Sequence, residues 1–425
     1  MGKKRRYQTT AVKRVHVDEL AEEVRDQRVT IGVDVAKEAM VAAVMDEGQA
    51  VLCTVRWSHP VETEVLLDLA EALREQASDV EVAMEPSGVY GDALRWQFLR
   101  RNFEVFRVSP KKTHDMAEVY DGVPSKHDAK DAAIVAKLHF DSASEPWPLK
   151  SDRERQLAAA LRMLEVHHKQ FRQNRNRLEG LLARHWPELT RWLDLDSATL
   201  LELLKAYGGP AAVAANPDVA RDKMRSIGRS RLSADKIAAV VASAARTAGM
   251  PQIDEEVSLL SALATEARRN QQALKAARRH VEELAVAEGS TRELQATVGK
   301  TTAAVLVASA GDPKRYDSPQ SYVKALGLNL REHSSGKKKG QLHITKRGSG
   351  TARMFLFLAA LRKVKDDPIV RAWYAKKVAR EGGKAKTKAI VAIMRKLVMA
   401  LWHVARGHRF DASKLYDVRR LAVSS

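Results

Sequence analysis

Four acidic residues in the first third of the sequence have the types and the context of a metal-binding site. Asp34 interrupts a run of apolar residues, Glu85 ends another, and Asp128 and Asp131 stand three apart in a segment with helical character. Residues three apart project from one face of a helix, and carboxylate oxygens are the ligands that hard divalent cations prefer. Acids in the first turn of a helix are usually only solvated. All four in this order predict a site for two Mg²⁺ ions, roughly 4 Å apart, that act on a phosphodiester.

A second group of chemically interesting residues lies near the C-terminus. Ser334 and Ser335 stand in a stretch rich in glycine and lysine. One interpretation is a flexible basic loop that binds phosphates, and the spacing alone favours it. The other is a nucleophilic serine among cations that neutralise phosphates. The candidate cations are Lys337, Lys338, Lys339, Lys346, Arg347 and Arg353.

The apolar runs around the four acids predict the elements that would hold them. Strands are expected at 29–34, 40–45, 50–57, 80–86 and 103–109, with helices at 61–76, 91–101 and 125–137. A three-stranded meander followed by alternating helices and strands is the opening of a ribonuclease-H-like α/β fold with a mixed sheet. Asp34 is expected inside a buried strand with a cation as partner, because an unpaired buried carboxylate is costly. Ser125 is the expected N-cap of the helix that carries Asp128 and Asp131.

Two long helices are predicted in the middle of the chain. Ser151 and Glu154 form a capping box at the start of the first, and the second spans 254–288. Both keep a heptad spacing, which predicts an antiparallel coiled coil within the chain or between chains, with Asn270 on the seam. Two long helices packed on a globular domain remain the alternative.

The last region begins near Glu293 with a glycine turn that opens a helix at 296–306. The turn lacks the upstream glycine of a Walker loop, since position 294 is Leu. A helix-hairpin-helix-like turn, whose backbone amides contact a DNA phosphate, is predicted instead. Two basic amphipathic helices are expected at 354–363 and 384–406.

The composition points to a polyanionic partner. The 425 residues carry a formal net charge of +19, and nucleic acid is the commonest partner of so basic a folded chain. An anionic membrane surface would require an apolar face or a lipidation signal, and neither is evident. The single cysteine, Cys53, excludes intramolecular disulfides and cysteine-rich zinc sites and is typical of a reducing cytosol. The basic N-terminus is not followed by the apolar core of a signal peptide. Met1 to Arg28 is expected to be a charged, solvated tail with a short helix, and contact with nucleic acid is the alternative.

Taken together, these motifs resemble one family over nearly the whole chain. The sequence is similar to the DEDD transposases of the insertion-sequence one-hundred-and-ten family, which are relatives of the Piv-type DNA invertases. No single motif is specific, but their shared order is. The segments that carry the resemblance are 32–37, 84–90, 126–132, 298–303, 326–327, 335–336, 344–348 and Arg353.

The resemblance implies a division of labour between domains. It implies a basic segment at 1–28, a RuvC-like catalytic domain at 29–148, a helical coiled-coil or linker region at 149–290 and a C-terminal transposase domain at 291–425. Asp34, Glu85, Asp128 and Asp131 would be the catalytic metal ligands. Ser335 would be the nucleophile because a glycine follows it, with Ser334 as the alternative. The chain differs from the family at His127 and Asn329, which affects only local loop shape.

The resemblance also implies partners and a reaction. Family members look like recombinases guided by a structured bridge RNA that is encoded by the element and pairs with target and donor DNA. They assemble as dimers that pair into tetramers. The expected protein is a bacterial cytoplasmic, nucleoid-associated RNA-guided DNA recombinase. A RuvC-like junction resolvase or nuclease that activates water is the alternative enzyme. A non-catalytic basic nucleic-acid-binding protein is the alternative from another class.

Overall fold

A computed structural model describes residues 8–122, 127–335 and 338–417. The chain divides into two compact units, Met1–Lys150 and Ser151–Ser425, which are called the first and the second unit below. The first unit is built on a β-sheet, and the second is mainly helical. In the described residues, no helix is long and apolar enough to cross a membrane.

The first unit contains one mixed sheet. Its described strands are β1 (Thr10–Ala11), β2 (Arg28–Asp34), β3 (Ala39–Met45), β4 (Val51–Ser58), β5 (Asp79–Met84), β6 (Glu104–Val108) and β7 (Ser144–Pro146). They lie in the order β1-β4-β3-β2-β5-β6-β7. Strands β2, β3 and β4 form an antiparallel meander, whereas β2, β5 and β6 run parallel. This topology is consistent with the expected ribonuclease-H-like fold.

Helices cover both faces of this sheet. They are α1 (Val17–Glu23), α2 (Thr63–Gln76), α3 (Asp92–Arg100), α4 (Pro110–Asp121) and α5 (Asp128–Phe140). One face packs Val29, Ile31 and Val33 of β2 into an apolar core with α1, α2 and α3. The other face meets α5, whose alanines pack against β3 and whose later residues pack against β5 and β6. Alternate residues of each strand therefore face α5.

The first unit corrects four expectations from the sequence. Asp34 does not lie inside β2 but is its last residue, where it is half-buried. Residues 8–27 are not a solvated tail, because β1 pairs with β4 and Leu20 is buried. Helix α4 begins at Pro110, where the sequence indicated only the end of a strand. Helix α5 begins at Asp128 with His127 as its N-cap, and Ser125 lies outside the described residues.

The helices of the second unit are more numerous than the sequence indicated. They are α6 (Asp152–His185), α7 (Leu189–Trp192), α8 (Ala198–Tyr207), α9 (Pro210–Ala215), α10 (Pro217–Gly228), α11 (Ala234–Ala245), α12 (Asp254–Val286), α13 (Thr291–Val298), α14 (Lys300–Ala310), α15 (Pro319–Ala325), α16 (Gly350–Asp366), α17 (Pro368–Arg380), α18 (Lys386–Val404) and α19 (Ala412–Leu415). Helix α17 falls between the two basic helices expected at the C-terminus. The predicted glycine turn is present, with Gly299 at φ 83° between α13 and α14.

The two long helices, α6 and α12, run antiparallel within the chain. The start of α6 meets the end of α12, where Arg153 Nε lies 3.0 Å from Glu288 Oε1. At the other end, Arg184 Nη2 lies 3.3 Å from Glu256 Oε1. The Ser151 capping box forms as predicted. The pairing is established, but supercoiling of the pair stays a prediction.

Two separate apolar cores share this helix pair. Leu164 of α6 and Leu274 of α12 belong to a core with α13 to α19. Leu178 of α6 and Leu260 of α12 belong to a second core with α7 to α11. Between them Phe171 packs against both cores, and no residue of 165–177 is fully buried. The long helices are thus packed on globular cores at both ends, as the alternative interpretation held.

The serine-containing segment forms a hairpin, so the expectation of a flexible loop is wrong. Strand β8 (Leu330–Ser335) pairs antiparallel with β9 (Lys338–Ile344). The register places Leu330 opposite Ile344 and Ser335 opposite Lys338. This β8–β9 pair is called the serine hairpin below.

Candidate active site

Asp34 and Glu85 are brought side by side by the register of two parallel strands. In the β2–β5 pair Gly32 is opposite Ala83 and Val33 is opposite Met84. Asp34 is the last residue of β2 and Glu85 directly follows β5, so both lie at the carboxyl ends of these strands. Val33 and Met84 are buried in the core shared with α1, α2 and α3. Because side chains alternate along a strand, Asp34 and Glu85 point to the opposite face, toward α5.

Gly32 sets how closely α5 approaches this face. A Cβ atom at Gly32 would lie 2.4 Å from both the Ala132 carbonyl oxygen and the Ala136 amide nitrogen. Those are backbone atoms of α5, which cannot move without displacing the helix. Glycine therefore allows the backbones of β2 and α5 to touch. The contact lies two residues from Asp34 on β2 and involves Ala132, which directly follows Asp131 on α5.

One pocket of about 450 Å³ collects three of the four predicted acids. Asp34, Glu85 and Asp131 line it and are each half-buried. Asp128, in the first turn of the same helix as Asp131, is exposed and is not one of the lining residues. We call this the acid pocket. Its remaining wall is Pro110, Thr113, His114, Ala117 and Glu118 of α4.

The α4 wall is the part of the site that the sequence analysis missed. His114 and Glu118 are four residues apart, so one face of α4 presents both to the pocket. The signal for this helix was present in the sequence. Pro110 occupies its first turn and Gly122 ends it in the left-handed conformation, at φ 73°. Proline at the start and glycine past the end is the usual asymmetry of a helix.

The donor set suits a hard divalent cation, since four carboxylates, those of the three predicted acids and of Glu118, line one pocket. In the conformation described, however, no three His, Cys, Asp or Glu side chains within the described residues are gathered closely enough to hold a metal ion. The pocket therefore supplies the right ligand chemistry in an open arrangement. Lys130, between Asp128 and Asp131, is completely buried.

A buried polar network ties the strand of Glu85 to the helix of the two aspartates. Glu81 of β5 accepts from Arg28 Nε at 2.8 Å, and His139 Nε2 lies 3.0 Å from Glu81 Oε2. On its other side, His139 Nδ1 lies 2.8 Å from Ser144 Oγ. Burial alone would raise the pKa of Glu81, but hydrogen bonds from His139 and Arg28 outweigh it and hold the pKa below its usual value. The network fixes the C-terminal end of α5 to β5.

The other predicted residues lie in the serine hairpin or shortly after it in the chain. The structure describes the backbones of Ser334, Ser335, Lys338 and Lys339, and Lys337 lies outside the described residues. Lys346 and Arg347 are exposed just beyond β9. The guanidinium of Arg353 is held by the preceding turn, because its Nη1 donates to the carbonyls of Arg347 at 2.9 Å and Gly348 at 3.2 Å. The acids thus belong to the first unit and the serine to the second.

Two family models match the chain, in agreement with this division. The DEDD-domain model of IS110 transposases matches residues 31–187. The model of transposases of the IS116/IS110/IS902 family matches residues 296–375. The first match contains all four acids, and the second contains the serine hairpin. The chain belongs to the IS110 family of transposases, and the DEDD domain of that family suggests dependence on a divalent metal ion.

Curated relatives are similar over shorter stretches. Pilin gene-inverting proteins of Moraxella lacunata and Moraxella bovis are each 27% identical over 174 residues, which is 39% of this chain and 53% of theirs. An uncharacterized 42 kDa protein of the insertion element IS900, from Mycobacterium paratuberculosis, is 30% identical over 103 residues, 24% of this chain and 25% of that protein. The chain thus spans about half the length of the pilin gene-inverting proteins.

Proposed function

We propose that the protein is a DNA recombinase that cuts and rejoins strands during transposition. The observation that carries the proposal is the acid pocket, where two parallel strand ends and the facing helix bring Asp34, Glu85 and Asp131 together. The family match and the resemblance to gene-inverting proteins support it. In this proposal the domain at 29–148 supplies the acids and the domain at 291–425 supplies the serine.

The acids would act by holding a divalent cation, most suitably Mg²⁺. Asp34, Glu85 and Asp131 offer hard oxygen ligands, and Asp128 stands one helical turn away. A bound cation would supply Lewis-acid stabilisation of charge at the phosphodiester. The chain's own contribution is to position the carboxylates, through the β2–β5 register and the Gly32 contact.

Ser335 would be the nucleophile that keeps the energy of the broken bond. Its hydroxyl oxygen forms a bond to phosphorus, the bond from phosphorus to the leaving DNA oxygen breaks, and that oxygen takes up a proton. The serine phosphodiester is then attacked by a hydroxyl of another strand, which restores Ser335. Water-mediated cleavage by a RuvC-like nuclease would need no serine.

The proposal extends to partners. The family resemblance and the net charge of +19 support target DNA, donor DNA and a structured bridge RNA as partners. The family resemblance also supports a dimer that pairs into a tetramer and works at the bacterial nucleoid.

The first experiment tests the acids. Asp34→Asn and Glu85→Gln remove charge and keep shape, so strand exchange with Mg²⁺ should fall about a thousandfold or more while nucleic-acid binding persists. Near-normal exchange by both variants would overturn the assignment. A matched control is Asp46→Asn, an acid of the first unit in the turn between β3 and β4.

The second experiment separates a recombinase from a nuclease. Ser335→Ala should abolish strand exchange and any covalent protein–DNA adduct on denaturing gels, whereas Ser334→Ala should retain both. If both serine variants recombine normally, the water-activating nuclease mechanism is preferred.

A third experiment tests the RNA partner. RNase-treated protein that still recombines defined sites would exclude RNA guidance.

A further inference from the structure

A second pocket, of about 650 Å³, lies within the second unit beside the serine hairpin. One wall is the hairpin and the other is formed by α17 and α18. We call it the hairpin pocket. Its lining residues are Leu330, Gly340, Leu342, His343, Ile344, Lys377, Thr387, Lys388, Val391, Ala392 and Arg395. A volume of this size is that of a small-ligand site.

The charged side chains that line the hairpin pocket are cationic. Lys377, Lys388 and Arg395 line it, and no Asp or Glu does so in the described part of the chain. Glu381 lies behind the two lysines, 3.3 Å from Lys377 Nζ and 3.0 Å from Lys388 Nζ, and so offsets one charge. Arg395 is held in place by donating its Nε–H to the Leu328 carbonyl at 2.9 Å. The residual positive charge favours an anion at the rim.

The same pocket has an apolar wall that the protein leaves open to solvent. Leu342 is 53% exposed and Leu330 is 39% exposed, so two large apolar side chains of the hairpin are in contact with solvent. The register shows that Leu342 and Ile344 alternate with His343 and so share one face of β9. Val391 and Ala392 of α18 lie across from them. Among the described residues no Phe, Tyr or Trp lines the pocket, but an aliphatic surface beside cations can still offer a wall for an unstacked base and a rim for its phosphate.

We propose that the hairpin pocket holds one unpaired nucleotide of the DNA strand that the serine hairpin engages. Its base packs on Leu342 and Ala392, and its phosphate lies near Lys388. The inference rests on the proposed function and deepens it, because it places a single-strand subsite on the same hairpin as the proposed nucleophile. From Leu342 to Lys338, the partner of Ser335, β9 advances roughly 13 Å. A base inside a duplex is stacked and cannot enter such a concave site, so the strand must be locally unpaired.

The test uses the full-length protein without metal, so that no strand is cut. The probe is a short fluorescein-labelled oligothymidylate, followed by fluorescence anisotropy. Ala392→Met fills the pocket and Leu342→Ala removes its wall. Each should weaken binding about five- to tenfold, the loss expected when one base contact is removed. Leu358→Ala is the matched control, since Leu358 is 42% exposed in the same unit but does not line the pocket.

The rim is tested in parallel. Lys388→Gln should weaken binding and reduce the slope of log affinity against log salt by about one, as expected for one lost phosphate contact. Lys386→Gln, an exposed lysine at the start of the same helix, should change the affinity less than twofold. A 2-aminopurine within the oligonucleotide should change its emission on binding to the wild type and not to Ala392→Met.

Each outcome decides the inference. Equal affinities for wild type, Ala392→Met and Leu342→Ala would overturn it, as would preferential competition by duplex DNA, single-stranded RNA or an acidic peptide. Asp34→Asn should bind the oligothymidylate like the wild type. A wild-type protein that binds it through this pocket but never exchanges strands would refute the proposed function and leave the subsite intact.

Discussion

The acid pocket of the first unit and the hairpin pocket of the second unit have opposite charges. Three carboxylates and Glu118 line the first, with no lysine or arginine in the described part of the chain. Three cations line the second, with no carboxylate in that same part. A DNA phosphate is repelled by the first pocket unless a cation is bound there, whereas the second attracts it directly. Binding and chemistry should therefore differ in their need for metal.

The two pockets also differ in how they are built. The acid pocket depends on the register of buried strands in a mixed sheet and on a backbone contact at Gly32. The hairpin pocket depends on a two-stranded ribbon supported by α17 and α18, and such a ribbon has little stability of its own. The carboxylates proposed to be catalytic are thus held on a rigid support, and the residues proposed to bind a nucleotide are held on an adaptable one. The predictions below test this contrast, from the largest effect to the smallest.

The largest effect is expected from Gly32→Val. The new side chain would collide with backbone atoms of α5, so the first unit should lose about 3 kcal/mol or more of stability and the acid pocket should be disrupted. Hydrogen exchange of β2 and β5 would report the loss. Gly88→Ala is the control, because Gly88 has a positive φ of 62° but open space around it, and it should cost only about 1 kcal/mol. Unchanged protection in Gly32→Val would refute the close-contact argument.

Charge inversion in the hairpin pocket should come next. Lys388→Glu replaces attraction with repulsion, so the affinity for oligothymidylate should fall about tenfold at low salt and less at high salt. Lys388→Arg should retain the affinity. Strand exchange by Lys388→Glu should recover at high DNA concentration, because the acid pocket is untouched. If strand exchange does not recover, the hairpin pocket is needed for more than DNA binding, and the contrast between the two pockets is wrong.

Glu81→Gln should show a pH-dependent loss of stability. The pKa of Glu81 is depressed in the folded protein, so its stabilising contribution is present above its unfolded pKa of about 4.3 and is lost as pH falls through the folded pKa. Near neutral pH the variant should be less stable by about 1–2 kcal/mol, and the difference should narrow on acidification. Urea unfolding of the first unit at several pH values measures this. A difference independent of pH would show that the hydrogen bonds to Glu81 are not charge-assisted.

The smallest effect should come from Glu118→Gln in the α4 wall. Removing one carboxylate from the rim of the acid pocket should raise the Mg²⁺ concentration for half-maximal activity about threefold, the scale of an exposed charge interaction. The maximal rate should hardly change. His114→Gln, one turn earlier, should leave the Mg²⁺ requirement unaltered. A thousandfold loss in Glu118→Gln would instead make Glu118 a ligand equal to Asp34.

Much of the acid pocket was predictable from local patterns. The apolar runs around Asp34 and before Glu85, and the spacing of Asp128 and Asp131, assigned the acids to the correct strands and helix, although Asp34 ends its strand and was expected inside it. The pairing of β2 with β5 is non-local, however, and no pattern within either strand specifies it. The role of Gly32 was equally hidden, because a glycine in a strand does not show which backbone approaches it.

The C-terminal region was harder to predict for a different reason. The segment from Leu330 to Ile344 is rich in glycine and lysine, which are poor strand formers, so its composition favoured a loop. Its pairing depends on tertiary support beside α17 and α18, and α17 itself was not anticipated. Helix α4 was missed because Pro110 was interpreted only as the end of a strand, although proline also opens helices.

The helix pair α6 and α12 sets the distance between the two apolar cores of the second unit. From Leu164, in one core, to Leu178, in the other, α6 advances roughly 21 Å. Inserting seven residues in each helix at that level would lengthen the span by about 10 Å and keep every buried face in place. Inserting five residues would instead turn the buried faces of the two helices away from one of the two cores. We therefore expect this span to tolerate changes of length only in whole heptads, which would alter the distance between the two cores and leave the residues of each core in place.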